Sequence, residues 1–243
     1  MALKNKNLPS IGDGIHAARG AWQFDDTVPE VFDQHVSKSI PEYEQGHNLI
    51  VKILAPLLSQ RGVCYELGCS TGVLTAKLAQ VSNQERVKII GLDTIEGMID
   101  RARGRCATYK NVSFEIADIS AYSFNSAIAI VSYYTLHFIS LNLRKPVLER
   151  VFNALNPGGQ LLLFEKIRFE DESHDKKITE NYHEYKISQG FTQEEIIAKS
   201  AALEGVLIPQ TENQNLEMLK NAGFKSSAII FNTLCWQGYL AVK

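Results

Sequence analysis

The sequence predicts one α/β domain, a mostly parallel seven-stranded sheet with helices on both faces and a helical insertion after the fifth strand. Three observations predict it. Short apolar runs alternate with stretches of helical periodicity from Val63 onward, and repeated strand-helix units imply a parallel sheet covered on both faces. The first strand ends in a glycine-rich turn, Gly68-Cys69-Ser70-Thr71-Gly72, and the next two end at acidic residues, Asp93 and Asp118. With 243 residues and 45% hydrophobic content, the chain can bury a sizeable core.

Taken in order, residues 1–20 read as a flexible arm of little core-forming power, and residues 21–243 as the domain. A helix is expected from Val28 to His35, with Val31, Phe32 and Val36 on one face. Pro41, with Ser39 as cap, suits the start of a second helix, whose i, i+3, i+4 stripe runs through Leu49, Ile50, Ile53, Leu54 and Leu57-Leu58. Strands follow at Val63–Leu67, Val87–Leu92, Val112–Ile116, Ser126–Tyr134 and Gln160–Phe164. Helices at Gly72–Val81, Ile95–Tyr109 and Leu143–Leu155 separate them. Asn156-Pro157-Gly158-Gly159 is a stop signal after the last of these. Glu170–Lys177 reads as a solvated charge run. Ile178–Gly190 and Thr192–Leu203 form an insertion over residues 170–210, a lid or a dimer contact. A last helix ends at Ala222-Gly223-Phe224. Ala228–Phe231 and Tyr239–Val242 are joined too briefly for a parallel crossover, so they pair antiparallel.

Composition narrows the function. A net charge of −2 argues against a broad nucleic-acid face, so no direct nucleic-acid partner is expected. No apolar run reaches about 18 residues, so no membrane span is expected. Cys64, Cys69, Cys106 and Cys235 make no C-x-x-C pair, which points to a reduced, cytoplasmic chain without a metal.

The turn and the strand ends together read as a nucleoside-cofactor site. A dinucleotide turn reads G-x-G-x-x-G and places pyrophosphate at a helix N-terminus. Here the spacing is G-x-x-x-G and Glu66 precedes it, a carboxylate that opposes phosphate but suits an amino group. Asp93 can accept both ribose hydroxyls. Asp118 can accept the adenine amino group, and Ile119 can pack on the ring. S-adenosylmethionine is the expected cofactor.

These residues resemble class I S-adenosylmethionine-dependent methyltransferases and, more narrowly, the carboxy-S-adenosylmethionine synthase family. The likeness runs from Trp22 to Lys243. It is carried by Trp22-Gln23-Phe24-Asp25, Val28-Pro29-Glu30-Val31-Phe32-Asp33, Ser39-Ile40-Pro41-Glu42-Tyr43, Tyr65-Glu66-Leu67-Gly68-Cys69-Ser70, Asn156-Pro157-Gly158-Gly159, Ser200-Ala201-Ala202-Leu203-Glu204 and Ala222-Gly223-Phe224. The resemblance implies cofactor contacts at Tyr43, Gly68, Asp93, Asp118 and Ile119, and a homodimer. Glu66, Ser70, Gly72, Thr94, Met98 and Tyr133 complete the expected cofactor set. The family holds its carboxylated cofactor with an Asn after the fourth strand and an Arg in the late helical segment. Those positions are Tyr133 and Ser200 here. Lys199 is adjacent, but one helical residue turns a side chain about 100° away.

The expected activity is therefore methyl transfer from S-adenosylmethionine to a small-molecule acceptor. The alternatives are a carboxy-S-adenosylmethionine synthase, which the resemblance implies would use prephenate in a tRNA wobble-modification pathway, and a non-catalytic S-adenosylmethionine-binding protein. His137, just past the fourth strand, is the expected catalytic base or substrate contact. Tyr133 and Tyr134 are placed to line an acceptor pocket. Tyr182, His183 and Tyr185 are expected to pack at a surface or interface. His35 and Lys166 are further polar candidates without a catalytic assignment.

Overall fold

The computed structural model describes residues 8–23 and 28–243. Phe24 and Asp25 of the Trp-x-Phe-Asp block, and the first seven residues of the arm, lie outside the described residues. The helices are α1 (Val28–Ser39), α2 (Tyr43–Leu54), α3 (Val73–Val81), α4 (Glu96–Arg105), α5 (Leu141–Ala154), α6 (Glu172–Ser188), α7 (Gln193–Ala202) and α8 (Glu212–Ala222). The strands are β1 (Gly62–Leu67), β2 (Val87–Asp93), β3 (Val112–Ile116), β4 (Ala127–Tyr133), β5 (Leu155–Lys166), β6 (Ser226–Thr233) and β7 (Trp236–Val242).

The strands form one sheet in the order β3-β2-β1-β4-β5-β7-β6. The pairs from β3 through β5 are parallel, and β7 runs antiparallel to both β5 and β6. The short connection between β6 and β7 thus gives the antiparallel pair that its length predicts.

Alternation along the strands builds a core on each face. In β5, Leu162 and Phe164 point to the side covered by Ile50 and Leu54 of α2 and Leu74 and Leu78 of α3. Leu161 and Leu163 point to the side covered by Val147 and Val151 of α5 and Leu219 of α8. A period of two is what a strand buried on both faces requires. Each buried aliphatic side chain contributes about 1.5–3 kcal/mol.

Three expectations change. First, Ser39 does not cap the second helix; it is the last residue of α1. Proline disfavours helical geometry in the residue before it, so α1 stops short of Ile40-Pro41. Glu42 then takes φ 56°, and α2 starts at Tyr43. Second, Asn156-Pro157-Gly158-Gly159 does not end a helix ahead of a later strand. It lies within β5, where the register to β4 jumps from Ala127↔Leu155 to Ala129↔Gln160. The turn residues form a bulge, with Gly158 at φ 77° and its N–H donated to the Lys243 carbonyl. Third, the arm contributes a core. Ile11, Ile15 and Ala17 are buried with Trp22, Met98 and Ala202. Gly20 and Trp22 donate backbone hydrogen bonds to the carbonyls of Ala201 and Ala202, strapping the arm to the end of α7.

The insertion lies where expected, as α6 and α7. The charge run opens α6, with Asp171 accepting the His174 N–H at 2.8 Å as cap. Among the described residues no helix is long and apolar enough to cross a membrane.

Candidate active site

Strand order reverses at β1, which has β2 on one side and β4 on the other. Open α/β sheets bind ligands in the crevice at such a switch point, beyond the carboxyl ends of the strands. Here the crevice opens into a cavity of about 890 Å³ walled by α1, α6 and α7. Tyr43, Glu66, Gly68, Ser70, Asp93, Thr94, Met98, Asp118, Ile119, Tyr133 and His137 all line it. Gly72 does not; it adopts φ 76° as the left-handed residue ahead of α3, and a Cβ there would lie 2.9 Å from that of Ala102.

One half of the cavity is acidic. The turn after β1 is tied down by Asp93, whose Oδ2 accepts the Ser70 N–H at 2.9 Å and whose Oδ1 accepts the Ile95 N–H at 3.0 Å. Burial raises the Asp93 pKa, and these N–H groups oppose the rise. Ser70 itself takes φ 51°. Gly68 must be glycine, because a Cβ would stand 2.3 Å from Thr135 Oγ1 across the switch point. Glu66 is 3% exposed and accepts a hydrogen bond from Thr75 Oγ1. Burial, with the nearby Asp93 charge adding to it, pushes the Glu66 carboxyl up to about 8. Asp118 Oδ1 accepts the Ser120 N–H at 2.7 Å, and Ile119 beside it is buried. Among the described residues no cation pairs with Glu66, Asp93 or Asp118. Such a set accepts hydroxyls and an ammonium and repels phosphate, so it fits an amino-acid nucleoside.

A clamp that the sequence reading missed joins α1 to this turn. Thr71 Oγ1 donates to Asp33 Oδ1, and Arg105 donates to Asp33 Oδ2 at 2.6 Å and to the Thr71 carbonyl at 3.0 Å. The residues come from segments far apart in sequence, so no local pattern signals the contact.

The other half is basic and aromatic. Lys166, Lys186, Lys199, Tyr182, His183 and Trp236 line it. Packing at a surface or interface is the expectation for Tyr182 and His183; both instead line the cavity from α6. Tyr185 packs at the edge of the core instead. The Lys186 ammonium lies 4.4 Å from the Tyr182 ring centroid, and Lys166 lies 5.3 Å from it. Burial, followed by the charge of Lys166, lowers Lys186 to about 8.

Lys199 is also corrected. It was expected to face away from the direction of Ser200, yet both line the cavity. The 100° step describes Cβ directions, whereas a lysine chain is long enough to curl back. Lys199 Nζ lies 2.6 Å from His35 Nε2 and donates to Ser39 Oγ at 2.9 Å. Ser200 Oγ donates to the Ile196 carbonyl of its own helix at 2.9 Å. The Tyr133 hydroxyl donates to the Tyr43 carbonyl at 2.6 Å.

His137 is 1% exposed. Its Nδ1 accepts the Lys166 backbone N–H at 3.2 Å, and Glu165 Oε2 stands 3.3 Å from the same nitrogen. Arg144, fully buried, donates to the His137, Ile139 and Ile208 carbonyls and so fixes the segment after β4.

Comparison with known proteins fits this geometry. A family model described as a methyltransferase domain matches residues 65–159. A carboxy-S-adenosyl-L-methionine synthase of Sulfurimonas denitrificans is 32% identical over 228 residues, covering 93% of this chain and 97% of the relative. Its counterpart in Campylobacter concisus is 36% identical over 223 residues, covering 91% and 94%. Among solved structures, a SAM-dependent methyltransferase of Aquifex aeolicus superposes with TM-score 0.60 at 15% identity, covering 90% of this chain and 99% of that one. Human N-acetylserotonin methyltransferase in complex with SAM superposes with TM-score 0.62 at 18% identity, covering 90% and 56%.

Proposed function

The chain belongs to the carboxy-S-adenosyl-L-methionine synthase family of class I S-adenosylmethionine-dependent enzymes, and from that premise we propose that it transfers the methyl group of ordinary S-adenosylmethionine to a small-molecule acceptor. One observation carries the choice of the ordinary cofactor. At the positions where the resemblance implies an Asn and an Arg, Tyr133 gives its hydroxyl to the Tyr43 carbonyl and Ser200 turns its hydroxyl into α7. Neither offers a donor to a carboxylate on the cofactor.

In this reading Asp93 holds the ribose, while Asp118 and Ile119 hold the adenine. Glu66 faces the amino group, and Gly68 lets the ligand approach the backbone. Tyr43, Ser70, Thr94 and Met98 complete the wall. Bound S-adenosylmethionine supplies an electrophilic methyl group on a sulfonium. Tyr134 lines the acceptor side together with His137. A neutral imidazole has one acceptor nitrogen, and that of His137 is engaged by the Lys166 N–H. With the Lys166 N–H on Nδ1, His137 presents an Nε2–H donor to the acceptor; the Glu165 carboxylate, 3.3 Å from the same Nδ1, favours the other tautomer, in which Nε2 is a base.

Competition between the two cofactor forms tests the proposal. The wild-type chain is expected to bind ordinary S-adenosylmethionine at least as well as the carboxylated form. Ser200→Arg should shift the preference toward the carboxylated form by about tenfold to a hundredfold, the equivalent of one charge-assisted hydrogen bond. A hundredfold wild-type preference for the carboxylated form would overturn the reading.

A second reading, carboxy-S-adenosylmethionine synthesis from prephenate, is favoured by one observation: Lys199 brings an amino group to the cavity beside Ser200, which a carboxylate would hold as the ammonium. Product mass after incubation with S-adenosylmethionine and prephenate decides between the two. We further propose a cytoplasmic homodimer joined through α6 and α7, where Ile187 and Ile197 are 52% and 57% exposed. Light scattering should read twice the 27.2 kDa chain mass; a monomer would make the same face a lid.

A further inference from the structure

Three segments distant in sequence form a hydrogen-bonded chain, Asp13–His35–Lys199, that ends on one nitrogen at the cavity wall. Asp13 of the arm accepts from His35 Nδ1 at 2.9 Å and from Lys38 Nζ at 2.8 Å. A carboxylate only accepts, so the His35 proton sits on Nδ1 and Nε2 presents a lone pair. That lone pair faces Lys199 Nζ at 2.6 Å, and Ser39 Oγ takes a second N–H of the same nitrogen at 2.9 Å. Two of the tetrahedral positions on Nζ are thereby fixed as N–H donors and a third is the bond to Cε. The fourth position is an N–H in the ammonium and a lone pair in the amine.

We propose that Lys199, oriented by His35 and Asp13, is the group that takes the proton from the methyl acceptor. The proposal rests on the methyl-transfer reading above. The acceptor's X–H bond breaks, and the proton goes to Lys199 Nζ. The electron pair that the acceptor keeps forms the bond to the methyl carbon, and the pair of the broken carbon–sulfur bond stays with sulfur.

Burial and the neighbouring lysines favour an amine at this place, and the Trp22 ring, 5.8 Å from Nζ, opposes them. Lys199 is half-buried, and among the described residues no carboxylate contacts its nitrogen. Lys186 of α6 and Lys166 of β5 repel its charge, and the Asp13 charge offsets them in part. Lys38 of α1 is itself paired with Asp13. Burial first, then these lysines, bring Lys199 down to about 7. Burial and the Lys199 charge hold His35 lower, at about 4, so the imidazole stays neutral and the lysine is the member of the pair that titrates near neutrality. A sulfonium in the same cavity adds a further like charge. A lysine with a pKa near the operating pH is suited to general-base work.

The test is nuclear magnetic resonance titration of the full chain carrying 13Cε-labelled lysine, alone and loaded with S-adenosylmethionine. The signal lost in Lys199→Arg, or in Lys199→Gln should the first variant not fold, identifies the residue. We expect a midpoint within about one unit of neutrality, against the ordinary lysine value near about 10.4. Asp13→Asn should lower that midpoint by at least about half a unit, because an opposite charge that favours the ammonium is removed. A Lys199 midpoint above about 9.5 overturns the proposal, since no free amine is then present at neutral pH. A midpoint unmoved by both Asp13→Asn and His35→Phe overturns the part given to those residues. The titration needs no acceptor, so its failure is distinct from failure to detect methyl transfer by product mass.

Discussion

The two halves of the cavity differ in how they are made. In the cofactor half, Glu66, Gly68, Asp93 and Asp118 sit at the ends of three adjacent strands, and backbone hydrogen bonds hold the turn between them. In the other half, Lys166, Lys186 and Lys199 arrive from β5, α6 and α7; Lys199 is held by His35 and Ser39 of α1, with Asp13 of the arm behind His35, and Lys166 and Lys186 lie over the Tyr182 ring. The first half is set by strand topology and the second by tertiary packing. The lining groups differ as well, carboxylates in one half and lysines in the other, which under the proposed function face the cofactor and the acceptor.

If the halves are chemically separate, pH should act on cofactor binding through Glu66. Its carboxyl is raised from 4.5 to about 8 in the folded chain. An ammonium ligand prefers the ionised carboxylate, so below that value binding must release a proton. Affinity for S-adenosylmethionine should then rise by about tenfold per pH unit between roughly pH 6 and 8, nearly a hundredfold in all. Calorimetry in buffers of different ionisation enthalpy should report one proton released, and Glu66→Gln should abolish the slope. Stability without ligand has the opposite sign. A raised folded-state pKa contributes stability in full below the unfolded value of 4.5, and that contribution is lost as the pH rises through about 8. The melting temperature of the free chain should fall over that range while the shift produced by cofactor grows.

Asp93→Ala should cost about 1–3 kcal/mol of cofactor binding, roughly fivefold to 150-fold in Kd, through lost hydrogen bonds to the ribose. Unchanged affinity by titration calorimetry in a folded variant would remove Asp93 from the site.

His137→Gln is the sharper test of the boundary. A base at this position would contribute about 10²–10⁴ in rate, whereas a donor role, which the Gln amide can keep, should hold turnover within about tenfold across the neutral range. A larger loss confined to kcat would return the base to His137. The smallest effect is expected at Lys186→Met, which should leave S-adenosylmethionine affinity within about twofold, since this lysine lies over the Tyr182 ring and, among the described residues, pairs with none of the carboxylates of the cofactor half. A larger change would mean that the halves are not independent.

The same contrast explains what was legible in the sequence. Strand ends and the Gly68–Gly72 turn are local features, so Glu66, Asp93 and Asp118 could be placed from spacing alone. β3, Val112–Ile116, matches to the residue. The left-handed Glu42 and the bulge at Gly158 could not be placed, because each depends on where the next element packs. The arm looked weak because its apolar residues are scattered among polar residues and glycines. Ile11, Ile15 and Ala17 become a core against α1, α4 and α7. Lys199 was misread because a helical wheel gives the direction of a Cβ and says nothing of where a long side chain finds its partners. Lys186 carried no signal at all in a helix of mixed charge.

The clamp at Asp33 bears on how the two halves of the cavity move. α1 carries Asp33, which grips the cofactor turn, and two and six residues on carries His35 and Ser39, which grip Lys199. One helix therefore holds both the turn after β1 and Lys199. A movement of α1 that broke the Asp33 contacts would also withdraw His35 and Ser39 from the lysine, so the two halves of the cavity would loosen together.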